Sequence, residues 1–67
     1  MSKKLSMREA LKRARALGLT VERAAAHWRI TYRGVFVTCH PTNKDAPRAL
    51  ILLLRDAEEG RDPPRRT

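Results

Sequence analysis

The sequence has few of the residues from which active sites are commonly built. Its 67 residues include three aromatic side chains (Trp28, Tyr32 and Phe36), two histidines and one cysteine, Cys39. A single cysteine cannot form an internal disulfide, which favours a reducing compartment. No apolar run approaches the ~18 residues of a membrane span, and the basic start Met1–Leu5 lacks the apolar region of a signal peptide. We therefore expect a cytoplasmic protein without a membrane anchor.

Several motifs of enzymes and cofactor-binding proteins are also missing. The chain has no glycine-rich phosphate loop, no nucleophile elbow and no pair of catalytic carboxylates. Its two histidines and one cysteine match no standard zinc spacing. A chain this short buries only about 60% of its unfolded surface, which leaves little room for an enclosed pocket. We expect no cofactor and no metal.

Acidic residues are scarce as well. Fifteen Lys and Arg oppose seven Asp and Glu, a formal net charge of +8, and the sequence pI is about 11.1. Such an excess is typical of proteins that bind nucleic acid, because a polyanion relieves the repulsion and releases its counterions. A compositional bias towards Arg or an anionic membrane surface would give the same charge, but nucleic acid is the favoured partner.

Hydrophobic periodicity predicts two helices and three strands. Ser6 and Glu9 fit a capping box for helix 1 over Met7–Leu17, with Gly18 as its stop signal. Strands follow over Leu19–Ala24, His27–Tyr32 and Val35–Cys39, and Arg33-Gly34 forms a turn. Helix 2 has Asp45 as its N-cap, Pro47 in its first turn and an apolar stripe up to about Glu59, with Gly60 at its end.

These elements predict an α+β protein of order α-β-β-β-α. A three-stranded antiparallel sheet with both helices on one face buries both helical stripes in a single core. The other face of the sheet stays open. We expect a basic leader over 1–5, a single nucleic-acid-binding domain over 6–60 and a disordered basic tail over 61–67.

Helix 1 carries three cations on one face. Arg8, Lys12 and Arg15 recur at i, i+4 and i+7, opposite the apolar stripe, so they can follow a phosphate backbone. Only Glu9 is acidic on this helix, and ion pairing within the helix therefore does not account for the pattern. An ordinary solvated face is the other interpretation.

The second strand places His27, Arg29 and Thr31 on the open face. An imidazole titrates near neutrality and is suited to take the 2′-hydroxyl proton of RNA or to protonate the leaving oxygen, and Arg29 can stabilise charge on the phosphate. The simpler alternative is that His27 is a surface or hydrogen-bonding histidine with no catalytic role. His40 is either a second acid or base, a metal ligand or a loop residue near helix 2.

Large apolar side chains leave further questions open. Trp28, Tyr32 and Phe36 are either base-stacking platforms or core residues, and Phe36 is the best candidate for exposure because it alternates with Val35 and Val37. Leu52 points away from the stripe of helix 2, and it marks either a homodimer or antitoxin contact or a single surface leucine.

Three segments, which together span most of residues 6–59, resemble HicA-type mRNA interferase toxins. They are Leu17–Arg23, His27–Tyr32 and Pro41–Leu50. The resemblance implies a fold like the double-stranded RNA-binding domain, mRNA cleavage by one histidine on a strand, and neutralisation by an antitoxin protein. That histidine falls on His27. The family has a glycine just before it, where this chain has Ala25-Ala26.

The sequence thus predicts an RNA-binding protein with metal-independent endoribonuclease activity. His27 acts as acid or base, and Arg8, Lys12, Arg15 and Arg29 hold phosphates, with Phe36 on the ligand surface. The rival interpretation is a non-catalytic regulatory module of a phage or mobile element that binds DNA or a protein. A pure assembly protein is a third.

Overall fold

The computed structural model describes residues 5–63, and its elements follow the predicted order. The helices are α1 (Met7–Ala16) and α2 (Arg48–Glu59), and the strands are β1 (Thr20–Arg23), β2 (Trp28–Tyr32) and β3 (Val35–Cys39). The α-β-β-β-α prediction is confirmed. The observed bounds of the first four elements agree with the predicted ones to within one residue at each end.

The ends of α1 form as local sequence predicts. The Ser6 side-chain Oγ accepts a hydrogen bond of 3.1 Å from the backbone N–H of Glu9, which satisfies a donor that the helix leaves unpaired. At the other end Gly18 has a φ of 83°, a left-handed conformation that costs glycine little. The Ser6 cap and the Gly18 stop signal are confirmed, while the return hydrogen bond of the capping box, from the Ser6 N–H to the Glu9 side chain, is absent among residues 5–63.

The three strands form one antiparallel sheet of order β1-β2-β3. Arg33 and Gly34 have φ values of 49° and 82°, as the predicted two-residue turn between β2 and β3 requires. Ala24 and His27 close the β1–β2 hairpin through two backbone hydrogen bonds of 2.8 and 3.4 Å. Residues opposite each other in this register share a face of the sheet, so the register decides which side chains meet.

Both helices pack on one face of the sheet, as predicted. Ile30 of β2 and Leu50 of α2 are fully buried at the centre. The remaining buried side chains come from both helices, β3 and the connecting segments: Met7, Ala10, Leu11, Ala14, Leu19, Cys39, Ala46, Leu53 and Leu54. Because side chains alternate along a strand, the neighbours of Ile30 lie on the opposite, uncovered face.

The predicted N-cap of α2 is wrong. Pro47 occupies that position in extended conformation, and no side chain caps the helix. Asp45 instead forms an isolated antiparallel bridge with Ser6, and the Met7 N–H donates to the Lys44 carbonyl at 2.9 Å. This extended pairing holds the backbone before α2, so the helix begins only after the proline. It also places the β3–α2 loop beside the start of α1.

The chain beyond α2 turns back towards the β2–β3 turn. Gly60 ends the helix with a φ of 71°, as predicted, and Pro63 is buried. Residues 1–4 of the predicted leader and 64–67 of the predicted tail lie outside the described residues. In the part of the chain that is described, neither helix is long and apolar enough to cross a membrane.

Candidate nucleic-acid interface

The carboxylates that pair with cations lie near the C-terminal end of α2. Among residues 5–63 the ion pairs are Arg13–Glu58 (3.8 Å), Arg33–Asp62 (2.6 Å), Arg61–Asp56 (3.3 Å) and Arg61–Glu59 (2.9 Å). The hydrogen bond to Asp62 raises the pKa of the exposed Arg33. The other cations of the described chain have no acidic partner in it: Arg8, Lys12, Arg15, Arg23, Arg29, Lys44, Arg48 and Arg55.

Three of these unpaired cations form the predicted stripe on α1. Arg8, Lys12 and Arg15 are all exposed, while Met7, Leu11 and Ala14 of the same helix are buried against the core. Arg13 lies between them in sequence, and its ion pair with Glu58 shows that it points towards α2. The positive charge of the stripe is therefore not offset by an ion pair within residues 5–63. It lies on the side of the sheet that the helices cover, which we call the helix side.

Two of the unpaired guanidinium groups lie close to the ring of Trp28. The guanidinium carbon of Arg23 lies 5.0 Å from the centroid of the Trp28 ring, and that of Arg15 lies 6.0 Å from it. Arg8 and Lys44 line the same shallow depression as Trp28. We call these five residues the Trp28 surface. Each cation is exposed, and the half-buried ring also packs against the core.

Arg23 and Lys44 were not among the predicted site residues. Arg23 pairs with Trp28 in the β1–β2 register. A two-residue turn at Ala25-Ala26 would have predicted this pairing, because the length of the turn fixes the register of a hairpin. Lys44 reaches the surface through the backbone pairing of its loop with the start of α1. That contact joins distant segments and has no local signal.

The open face of the sheet carries a second group of predicted residues. The guanidinium carbon of Arg29 lies 5.2 Å from the centroid of the Phe36 ring, and Phe36 is 58% exposed. Glu22 pairs with Arg29 in the sheet register, but the two form no ion pair. An exposed aromatic ring with a cation over it offers a base both stacking and charge.

His27 belongs to the open face too, one residue before β2. Its ring meets the ring of His40, with centroids 5.4 Å apart and planes at 73°. Both histidines are exposed. Arg33 is the one non-glycine residue within 5–63 that has a positive φ, so Ala25 and Ala26 form the turn before His27 in ordinary backbone conformations.

The structure divides the predicted site residues between two surfaces. His27, Arg29 and Phe36 lie on the open face, whereas Arg8 and Arg15 lie near Trp28 on the helix side. Arg29 therefore lies on the face of the sheet opposite the α1 cations, as its predicted place on the open face and the packing of both helices on the other face imply. The two surfaces meet at the β1–β2 turn, where His27 and Trp28 are consecutive.

The last predicted residue, Leu52, lies on a third surface. It is 45% exposed and lines an apolar groove between α2 and the free edge of β3. Phe36, Val35 and Pro63 line the same groove. Leu52 is thus apart from the cationic residues.

Comparisons of the chain with protein-family models, with curated proteins and with solved structures found no match. The resemblance to HicA-type toxins, and the antitoxin and cleavage activity that it implies, stay predictions.

Proposed function

We propose that the protein binds RNA and that the Trp28 surface grips the sugar–phosphate backbone. The observation that carries this proposal is that the guanidinium groups of both Arg15 and Arg23 lie within about 6 Å of the Trp28 ring centroid. Arg8 and Lys44 lie in the same depression, and none of these four cations has an acidic partner among residues 5–63.

The arrangement leaves an electrostatic cost that a polyanion removes. Like charges around one ring repel one another, and the paired carboxylates lie at the far end of α2. Backbone phosphates bound beside Trp28 would neutralise the guanidinium groups of Arg15 and Arg23 and release counterions from the nucleic acid. Arginine also donates to phosphate in a fixed, two-pronged geometry.

RNA is the preferred nucleic acid because of the open face. His27 and Arg29 are residue types that suit attack by a 2′-hydroxyl, which DNA lacks. The proposal therefore includes metal-independent endoribonuclease activity with His27 as an acid or base, in keeping with the resemblance to HicA-type toxins. The proposed compartment is the cytoplasm, where the lone thiol of Cys39 stays reduced.

A titration of fluorescently labelled RNA and DNA of the same sequence, single-stranded and duplex, tests binding. We expect affinity for RNA to fall steeply between low and moderate salt. Arg15→Gln and Arg23→Gln should each weaken binding and lower the salt slope by about 1. The matched control is Arg55→Gln, which removes from α2 an exposed charge that has no acidic partner among residues 5–63.

Several results would contradict the proposal. Equal losses in Arg15→Gln, Arg23→Gln and Arg55→Gln would mean that net charge alone drives binding. A clear preference for duplex DNA would favour the non-catalytic regulatory module. Affinity for no polynucleotide, even in dilute buffer, would remove the function altogether.

The exposed groove at Leu52 favours a second candidate function, binding of a protein partner. Ile51 and Leu52 of α2 and Phe36 of β3 all expose apolar area. The partner would be an antitoxin-like protein or a second copy of the chain. Sedimentation equilibrium of the wild type and of Leu52→Gln tests the second copy, because a dimer held at this groove dissociates in the variant.

A further inference from the structure

The two histidines are brought together by the sheet and not by the sequence. Trp28, the first residue of β2, is the register partner of Cys39, the last residue of β3. The next residues outward from this pair, His27 and His40, therefore lie opposite each other. Their ring centroids lie 5.4 Å apart and their planes cross at 73°. No third His, Cys, Asp or Glu joins them within residues 5–63.

The surroundings of the two rings differ. His40 Nδ1 lies 3.3 Å from the Thr42 hydroxyl oxygen, whereas no hydrogen bond occupies the His27 ring among the described residues. Arg29 lies two residues along β2 from His27, on the same face. The charged groups on the elements around the pair are Arg29 on β2, Glu22 and Arg23 on β1, and Lys44 and Asp45 in the loop that follows His40. Of the two on β1, Glu22 shares the open face and Arg23 lies on the opposite face beside Trp28.

We propose that His40 is a second catalytic residue, which works with His27 as an acid–base pair in RNA cleavage. This inference rests on the proposed function. Neutral His27 takes the proton from a 2′-hydroxyl, and the O2′ lone pair forms a bond to the adjacent phosphorus. The P–O5′ bond breaks, and protonated His40 gives its proton to O5′. The products are a 2′,3′-cyclic phosphate and a 5′-hydroxyl, with no cofactor consumed.

The Thr42 hydroxyl is placed to orient His40 as the acid. Both nitrogens of a protonated imidazole donate, so Nδ1–H would donate to the Thr42 hydroxyl oxygen and Nε2–H would stay free for the leaving group. His27 has a free ring nitrogen for the base. Arg29 lies on the same face to stabilise charge that develops on the phosphoryl oxygens. Thr42 is a positioning residue, since it acts through His40.

The test follows cleavage of labelled, mixed-sequence single-stranded RNA in excess EDTA. We expect His27→Ala and His40→Ala each to lose about 10²–10⁴-fold in rate, with RNA affinity unchanged. The double variant should be no slower than the worse single one, because the two groups act as a unit. An all-deoxy strand should stay intact, and the product should carry a 2′,3′-cyclic phosphate.

The pH profile and chemical rescue separate catalysis from a structural role. The wild-type kcat/KM should be bell-shaped with pH, and His40→Ala should lose the limb on the alkaline side, where the acid deprotonates. Added imidazole should restore part of the His40→Ala rate. Thr42→Val should slow cleavage less than His40→Ala does, and Arg55→Gln should cleave as the wild type does.

The outcomes distinguish the inference from the function that it deepens. RNA binding without cleavage by the wild type, or full cleavage by His40→Ala, overturns the histidine pair and leaves RNA binding intact. Loss of cleavage in His40→Ala without imidazole rescue or a changed pH profile also overturns it. If the wild type shows no salt-sensitive RNA binding, the proposed function fails as well.

Discussion

Arg23 and Trp28 face each other across the β1–β2 hairpin, and the Arg23 guanidinium carbon lies 5.0 Å from the centroid of the indole ring. The two residues are register partners, so the contact follows from the pairing of the strands. It places a charge that has no acidic partner among residues 5–63 beside the one tryptophan of the chain.

This contact makes tryptophan fluorescence a reporter of the Trp28 surface. We expect RNA to change the intensity of Trp28 emission as it binds, because a phosphate or base near the ring alters its surroundings. Arg23→Gln should reduce the change at saturating RNA, while Arg55→Gln should preserve it. RNA that binds by anisotropy and leaves the emission of the wild type untouched would show that the interface lies elsewhere.

Removing the cap of α1 should lower stability by about 1 kcal/mol. Ser6→Ala loses the hydrogen bond from the Glu9 N–H to Ser6 Oγ and leaves that donor to water. Urea unfolding followed by circular dichroism gives the difference, and Ser6→Thr, which keeps the hydroxyl, is the control. An alanine variant as stable as the wild type would mean that the cap adds nothing.

Leu50 and Leu52 should respond very differently to substitution. Leu50 is fully buried and Leu52 is 45% exposed. Leu50→Ala should cost about 2–5 kcal/mol, comparable to the total of about 3–5 kcal/mol expected of so small a domain, so the variant should be largely unfolded. Leu52→Gln should stay within about 0.5 kcal/mol of the wild type by urea denaturation. An equal loss of stability in Leu50→Ala and Leu52→Gln would contradict the observed packing of α2.

The buried Cys39 thiol should make stability fall in alkaline solution. Burial raises the pKa of Cys39 above its ordinary value, because desolvation disfavours the thiolate. The stabilisation is therefore complete below the unfolded pKa of about 8.5 and is lost as the pH rises through the folded one.

Urea midpoints of the wild type and Cys39→Ala over this pH range measure the effect. At neutral pH Cys39→Ala should be less stable than the wild type, because it loses packing. As the pH rises, however, its free energy of unfolding should fall less than that of the wild type. Alkylation of the native thiol should also be much slower than that of the urea-unfolded chain, since Cys39 is 2% exposed. Rapid native alkylation would show that the face of β3 opens.

Local signals predicted most of the elements. Ser6, Gly18 and Gly60 marked helix ends because caps and left-handed glycines depend on neighbours in sequence. The alternation in β3 and the Arg33-Gly34 turn predicted the β2–β3 hairpin, because they too depend on residues that are close in sequence. Asp45 failed as a cap because its backbone pairs with Ser6, a contact between segments that are far apart in the chain.

The sequence by itself determined the α-β-β-β-α order, the single core and the large positive charge, since all three follow from composition and periodicity. Only the tertiary structure decided which cations stay unpaired, that Arg15 and Arg23 both approach Trp28, and that His40 meets His27. These relationships join residues on different elements, so their distances depend on sheet register and helix packing. The placement of Arg29 opposite the α1 cations, in contrast, followed already from the alternation along β2 and from the burial of both helices on one face.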